Sequence, residues 1–146
     1  MGINRLATFV LALGLAGCMG EPTRGVNRPF ASACDAANEG LRIAVRGYFR
    51  LPDSNEGNYG VTLNLYGDPA FDGTPIAVLV PFGAEPHHVA SIPPTYTDDD
   101  LVLHLADGTE AGYGTGVRVS GRMYYGPRGV QCALENPYLE PAGQES

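Results

Sequence analysis

The stretch GVRVSGRMYY, residues 116–125, decides the fold class. Val117, Val119 and Met123 fall on one phase of a two-residue period; Arg118, Ser120, Arg122 and Tyr124 fall on the other. Side chains alternate across a strand, so the pattern predicts a half-buried β-strand with an apolar inner face and a cationic outer face. Gly121 lies on the inner phase, where backbone must approach backbone closely. A second stretch, LRIAVRGYFR (residues 41–50), repeats the scheme, with Leu41, Ile43 and Val45 alternating with Arg42, Ala44 and Arg46. After Gly47 large residues are adjacent, so the phase is expected to shift there, as at a β-bulge.

Further strands follow by the same rule. Tyr59, Val61, Leu63 and Leu65 share one face of residues 59–66, and residues 75–80, PIAVLV, form a short apolar strand stopped by Pro81. Residues 82–96 form a long connection broken by Gly83, Pro86, Pro93 and Pro94, with room for a little helix at residues 87–91. Leu101, Leu103 and Leu105 alternate with Val102 and His104, and Val130, Cys132 and Leu134 mark a last strand that Tyr138 extends past Pro137. The loops are rich in turn formers: Pro52–Asn58, Asp72-Gly73, Asp107-Gly108 and Gly126–Gly129. Twenty Gly and twelve Pro agree with an all-β domain of many turns.

Three strands, a long connection and two more strands, the first bent at a Gly, resemble the OB-fold. The residues that carry the resemblance are Val45-Arg46-Gly47 and Val117-Arg118-Val119-Ser120-Gly121. It implies a small five- to six-stranded antiparallel barrel over residues 34–140, with a Pro-rich loop and an extra strand where many OB-folds have a helix. The alternative is an immunoglobulin-like or prealbumin-like β-sandwich.

The first 17 residues have the parts of an export signal: Arg5 in the n-region, the apolar run LATFVLALGL (residues 6–15), then Ala16 and Gly17. The run is too short to span a bilayer. Leu15-Ala16-Gly17-Cys18 resembles the lipobox of bacterial lipoproteins. The resemblance implies cleavage before Cys18, lipidation of its thiol with a diacylglycerol and acylation (palmitate or a similar chain) of the new N-terminus. Two or more acyl chains give stable anchoring, at about 0.8 kcal/mol per buried methylene. In a two-membrane bacterium the resemblance further implies the outer membrane, since Met19 rather than Asp follows the cysteine. The plainer reading is an ordinary secretory peptide with an incidental Cys18. Residues 19–33, rich in Gly, Pro, Ser and Thr, are expected to form a flexible tether from the lipidated Cys18, and residues 141–146 a loose tail.

With Cys18 assigned to lipid, Cys34 and Cys132 remain. In an oxidising compartment they are expected to form one disulfide rather than a reactive thiol. Removing residues 1–17 takes away Arg5 and leaves eight Arg, no Lys and sixteen acids, a net charge of −8. That balance argues against a nucleic-acid partner, and the absence of Lys excludes Schiff-base chemistry.

Several side chains are candidates for a site. Arg42, Arg46, Arg118 and Arg122 lie on the outer phase of strands that pair in an OB-type barrel. They suit a carboxylate or phosphate ligand; the alternative is acidic neighbours pairing with them on a merely solvated face. Tyr48, Phe49, Tyr59, Tyr66 and Tyr124 offer an aromatic binding platform, or core and cross-strand packing. His87, His88 and His104, with Asp98-Asp99-Asp100, are weak metal candidates in no recognised ligand spacing. Asp68 and Asp72-Gly73 are explained by turn chemistry without calcium. No nucleophile elbow, phosphate loop or His-Glu-x-x-His is present, and nothing in the spacing brings Ser91 or Ser120 to His104. No cofactor is called for. The expectation is a non-catalytic, lipid-anchored envelope protein that binds another envelope protein, a glycan or a small ligand, with Pro52–Asn58 and Gly126–Gly129 supplying specificity. The alternatives are a metal-binding or enzymatic protein and a structural subunit of an envelope complex.

Overall fold

The computed structural model describes residues 20–55, 57–125 and 132–143. The leader, Cys18, the turn Gly126–Gly129 and residues 144–146 lie outside the described residues. Among those described, the strands are β1 (Val26–Asn27), β2 (Arg42–Arg50), β3 (Gly60–Tyr66), β4 (Ile76–Pro81), β5 (His88–Val89), β6 (Leu103–His104), β7 (Glu110–Ala111), β8 (Gly116–Tyr125) and β9 (Cys132–Pro141). The main sheet runs β1-β2-β3-β4-β9-β8, and β8 pairs back onto β2. Five strands therefore close into an all-β, OB-fold-like barrel. A sandwich would leave two separate sheets; closure removes that alternative and protects the sheet edges. One seam departs from the expected antiparallel pairing: β4 and β9 run parallel, with Ala77 opposite Ala133 and Val78 opposite Leu134. The excursion through the small sheet and β8 returns the chain in the direction of β4.

The alternation sets the core. Ile43, Val45 and Phe49 of β2, Val61, Leu63 and Leu65 of β3, Ile76, Val78 and Val80 of β4, and Val117, Val119 and Met123 of β8 are all buried. The phase does not shift at Gly47. Register with β8 is continuous from Arg42 to Tyr48, and Gly47 points inward between Val45 and Phe49. A Cβ on Gly47 would stand 2.5 Å from the Tyr66 carbonyl oxygen, so this glycine serves the close passage of β2 against β3. The bulge lies elsewhere. Ser120 faces Tyr138 while Arg122 faces Glu135, which gives β9 one extra residue. Asn136 there takes φ 52°, and the proline beside it is tolerated because the ladder is interrupted. The extra residue flips the phase of β9, so Leu134 and Leu139, five positions apart, both point into the core. Gly121 stands opposite the bulge, where a Cβ would come within 2.8 Å of Leu134 Cβ.

The connection between β4 and β8 forms a second sheet in the order β5-β6-β7. The little helix considered at residues 87–91 is instead β5, whose His88 pairs with His104. Leu101, Leu103 and Leu105 alternate as expected, and their buried side joins the barrel core with Val89 and Ala111.

The segment expected to be a free tether is docked over its described part. β2 pairs with β3 only over Tyr48–Arg50, so the first half of β2 offers an open edge. β1 fills it in parallel, with Val26 opposite Ile43 and Asn27 opposite Ala44. Arg28 N donates to Ala44 O at 2.9 Å. Gly25 lies so close that a Cβ would stand 2.5 Å from the Ile43 backbone, and Phe30 packs on the core. Cys34 and Cys132 form a disulfide, with Cα atoms 5.7 Å apart across a sequence separation of 98. It ties the start of the domain to the head of β9.

Candidate functional site

The outer face of β2, β8 and β9 is a grid of three rows. Arg46, Arg118 and Glu140 form the first, Ala44, Ser120 and Tyr138 the second, and Arg42, Arg122 and Glu135 the third. The four arginines named from the sequence are thus brought to one face. Like charges directly opposite one another on a sheet repel, and β9 answers with one carboxylate in each arginine row.

The two arginine rows differ in what they hold. Arg118 donates Nη1 to Glu140 Oε1 at 2.5 Å, and Nε and Nη2 to Asn27 Oδ1 at 2.9 and 2.6 Å. Its Nη2 also reaches Gly25 O at 3.2 Å. Arg24 donates Nε to the other Glu140 oxygen at 2.8 Å. Burial by itself would raise the Glu140 carboxyl, but the hydrogen bonds and charges of Arg24 and Arg118 outweigh it and hold it below the usual carboxylate value. In the third row Arg122 pairs with Glu135 near the surface. Arg42 instead bonds backbone: Nε to Thr23 O at 2.5 Å and Nη2 to Asn136 O at 2.6 Å. Asn136 Nδ2 donates to Gly20 O at 3.1 Å. Arg42 and Asn136 together clasp the chain at Gly20 and Thr23. Burial lowers the Arg42 guanidinium from its ordinary value.

Beside the first row the surface opens into a groove of about 1050 Å³. Its walls come from the docked N-terminal segment (Arg24, Arg28, Phe30) and from the end of β9 with the β6–β7 turn (Tyr138, Glu140, Asp107). Ala44 lines it between them, with Arg46 and Arg118 alongside. Four arginines against two carboxylates make the lining cationic within a chain of net charge −7. Arg28 bonds neutral oxygens, Asn38 Oδ1 at 3.2 Å and Asn27 O at 3.1 Å. Ser120, fully buried in the middle row, has no hydrogen-bond partner for its hydroxyl among the described residues.

Tyr138 is the aromatic centre of this face. The Arg24 guanidinium lies 5.4 Å from its ring centroid and the His87 ring 4.3 Å. His87 takes φ 69°, unusual for a side chain of its size. Its Nδ1 accepts the Leu139 amide at 2.8 Å, which places the ring proton on Nε2. Burial holds this imidazole below its ordinary value, and the neighbouring His88 adds to the effect. With Ala106 N donating to Leu139 O at 2.8 Å, His87 joins the small sheet to β9.

The other candidates are dispersed. His88 Nδ1 lies 2.9 Å from Pro86 O, and its Nε2 lies 3.4 Å from Glu85. His104 Nδ1 is 4.0 Å from Glu110. Among the described residues no three His, Cys, Asp or Glu converge as a metal-holding group. Asp68 Oδ1 accepts from Ala70 N at 2.7 Å, and Asp100 with Thr97 forms a capping box, so these carboxylates do turn and cap work. Asp98 pairs with Arg50 at 3.4 Å.

The aromatics named from the sequence do not assemble a platform. Phe49 is core, Tyr59 is 90% exposed, Tyr48 lies over Gly116, and Tyr66 meets Phe71 edge-on at 5.5 Å. Among the described residues Tyr66 thereby joins two rings the sequence reading missed: Phe71 stacks on Tyr113 at 4.9 Å with Arg50 over the Phe71 ring. Arg24, Arg28, Tyr138 and Glu140 were also missed as members of the arginine face. For Glu140 a signal exists, since an acid on the outer phase of a strand beside Arg118 is the expected counter-charge. No family model matches the chain, and neither a curated protein nor a solved structure matches it.

Proposed function

We propose that the protein is a lipid-anchored, non-catalytic binding module of the bacterial envelope, seated in the outer membrane through Cys18, whose ligand site is the arginine groove. The observation that carries the binding reading is the cationic, aromatic-edged groove in a strongly acidic chain. A guanidinium fork suits carboxylate or phosphate groups, and grooves of this size bury small ligands well. Leu15-Ala16-Gly17-Cys18 supports the anchor, and the Cys34–Cys132 bridge suits an oxidising compartment. The ligand class is a glycan or small molecule bearing carboxylate or phosphate. Arg46 and Arg28 engage the anion, Tyr138 offers a ring face, and the Arg118–Glu140 pair fixes the wall.

The test is a titration of isotope-labelled protein with a uronic-acid oligosaccharide and with a neutral oligosaccharide of equal length. The acidic ligand is expected to shift the amides of Arg46, Tyr138 and Glu140, and Arg46→Ala to weaken it about tenfold, the scale of one charge-assisted bond. Equal binding of the neutral sugar, or no response at these amides to the acidic one, overturns the assignment of the groove.

A further inference from the structure

The clasp holds the chain within a few residues of the proposed lipid. Asn136 fixes Gly20 and Arg42 fixes Thr23 and Asn136, so the described chain is tied to the barrel from Gly20 onward. From Cys18 to Gly20 is two residue steps, at most about 7 Å of chain. A free coil of fifteen residues would span roughly 20 Å and leave the domain's orientation open. A leash of two residues does not.

We infer that the clasp end of the barrel is a membrane-apposed surface, seated on zwitterionic phospholipid headgroups. This rests on the proposed acylation of Cys18. An acylated Cys18 lies at the depth of the lipid glycerol and headgroup, so Gly20, Thr23 and the residues around them must lie at the headgroup layer. The surface there fits that partner. Leu41 is 46% exposed beside Arg42. The Arg122 side chain, 57% exposed, is balanced by Glu135, and the exposed Glu21 and Glu39 lie close to Gly20 and Leu41 in the chain. An end of such mixed charge gains nothing from anionic lipid and suits headgroups that carry both signs. Asn136 is held at φ 52°, a conformation that asparagine tolerates better than most residues, and its side chain is spent on Gly20. The groove row of Arg46 and Arg118 stands four residues further along β2, about 13 Å from the clasp, clear of the headgroups and open to a ligand.

The experiment uses the acylated full chain, purified from membranes and reconstituted into phosphatidylcholine–phosphatidylethanolamine vesicles. Leu41→Cys at the clasp end and Tyr59→Cys beyond the far end of β2 each receive a small fluorophore. Arg122→Cys and Leu79→Cys repeat the comparison, so that one misfolded variant does not decide it. A headgroup-spin-labelled phosphatidylcholine is the quencher. Quenching at Leu41→Cys is expected to be at least about threefold that at Tyr59→Cys. Twelve Gly/Ser residues inserted after Met19, with a coil span of roughly 20 Å, are expected to abolish the difference. Equal quenching of both ends in an acylated chain without the insertion overturns the apposition and leaves the anchor standing. A mature mass without acyl chains overturns the anchor and the apposition together.

Discussion

Arg42 and Arg46 leave the same strand on the same side, four residues apart, and end in different kinds of site. Arg46 belongs to the row that borders the groove, beside an arginine gripped by Glu140 and Asn27. Arg42 reaches the carbonyls of Thr23 and Asn136 and becomes part of a clasp. The difference comes from β9. Its bulge inserts Asn136 opposite the Arg42 row, and its regular stretch beyond the bulge places Tyr138 and Glu140 in the upper rows. The period of a strand fixes which side a residue takes; the irregularity of its neighbour decides what it meets there.

The largest expected effect would break the clasp end alone. Cys132→Ser removes the bridge that joins Cys34 to the head of β9. Loss of a native bridge of this kind is expected to cost about 2–5 kcal/mol of stability, read from urea unfolding with and without reductant. Amide exchange in the oxidised and variant proteins is expected to rise first at Leu41 and Met123, while Val117 and Leu139 stay protected longest. Uniform loss would mean that the two ends are one cooperative unit.

The next effect contrasts the two carboxylates. Glu140 and Arg118 side chains are 13% and 15% exposed, against 36% and 57% for Glu135 and Arg122. Glu140→Ala is expected to lose about 2–3 kcal/mol, somewhat under the figure for breaking a fully buried pair. Glu135→Ala is expected to lose under about 1 kcal/mol, as for surface pairs. The pH profile sharpens the contrast. The folded Glu140 carboxyl sits below the usual value of 4.5, so its contribution is whole above that value and is lost as the pH falls through the folded one. Urea midpoints from pH 7 to 3 are expected to fall less steeply in Glu140→Gln than in the parent. Equal midpoints for the two alanine variants would erase the distinction between the rows.

A smaller effect concerns the joint between the small sheet and β9. Folding lowers the His87 imidazole from 6.5. As the pH falls below 6.5 the unfolded chain takes up this proton first, so the His87 contribution is complete above 6.5 and declines towards the folded value. The protection of the Leu139 amide, after division by its intrinsic exchange rate, is expected to fall as the pH drops from 7.5 to 5.5, and His87→Asn, which tolerates the backbone angle, to remove that dependence. The smallest effect is expected at Ser120. Removing a buried hydroxyl without a partner is expected to leave stability unchanged or raise it by up to about 1 kcal/mol in Ser120→Ala. A marked loss would mean that the hydroxyl does bonding work under Tyr138.

The barrel was legible because its signal is local. The alternations of Ile43–Val45, Val61–Leu65 and Val117–Val119 survive without reference to any partner, and the two arginine pairs follow from them. The sequence points to a bulge at Gly47 and hides the one in β9, because an extra residue is defined by two strands in register, and one strand's sequence shows only half of that. The docked segment resembles a tether in sequence for a related reason. Residues 20–33 have no period of their own, and what holds them is the edge that β2 offers once β3 has diverged. The groove needs three separated segments together, so Arg24, Arg28 and Glu140 carried no joint signal.

The position of β9 also dictates when the fold can be finished. β2, β3 and β4 form a meander that neighbouring residues are enough to pair, and β8 covers the outer edge of β2, but the β4 edge stays open until residues 132–141 fit between β4 and β8. The last strand of the barrel is the keystone: it pairs locally with β8, but its seam with β4, Ala77 opposite Ala133, joins residues far apart in sequence, which slows folding. Cys132 heads that strand, so seating the keystone brings its thiol to Cys34. Oxidation of this pair therefore locks a barrel that the keystone has already closed.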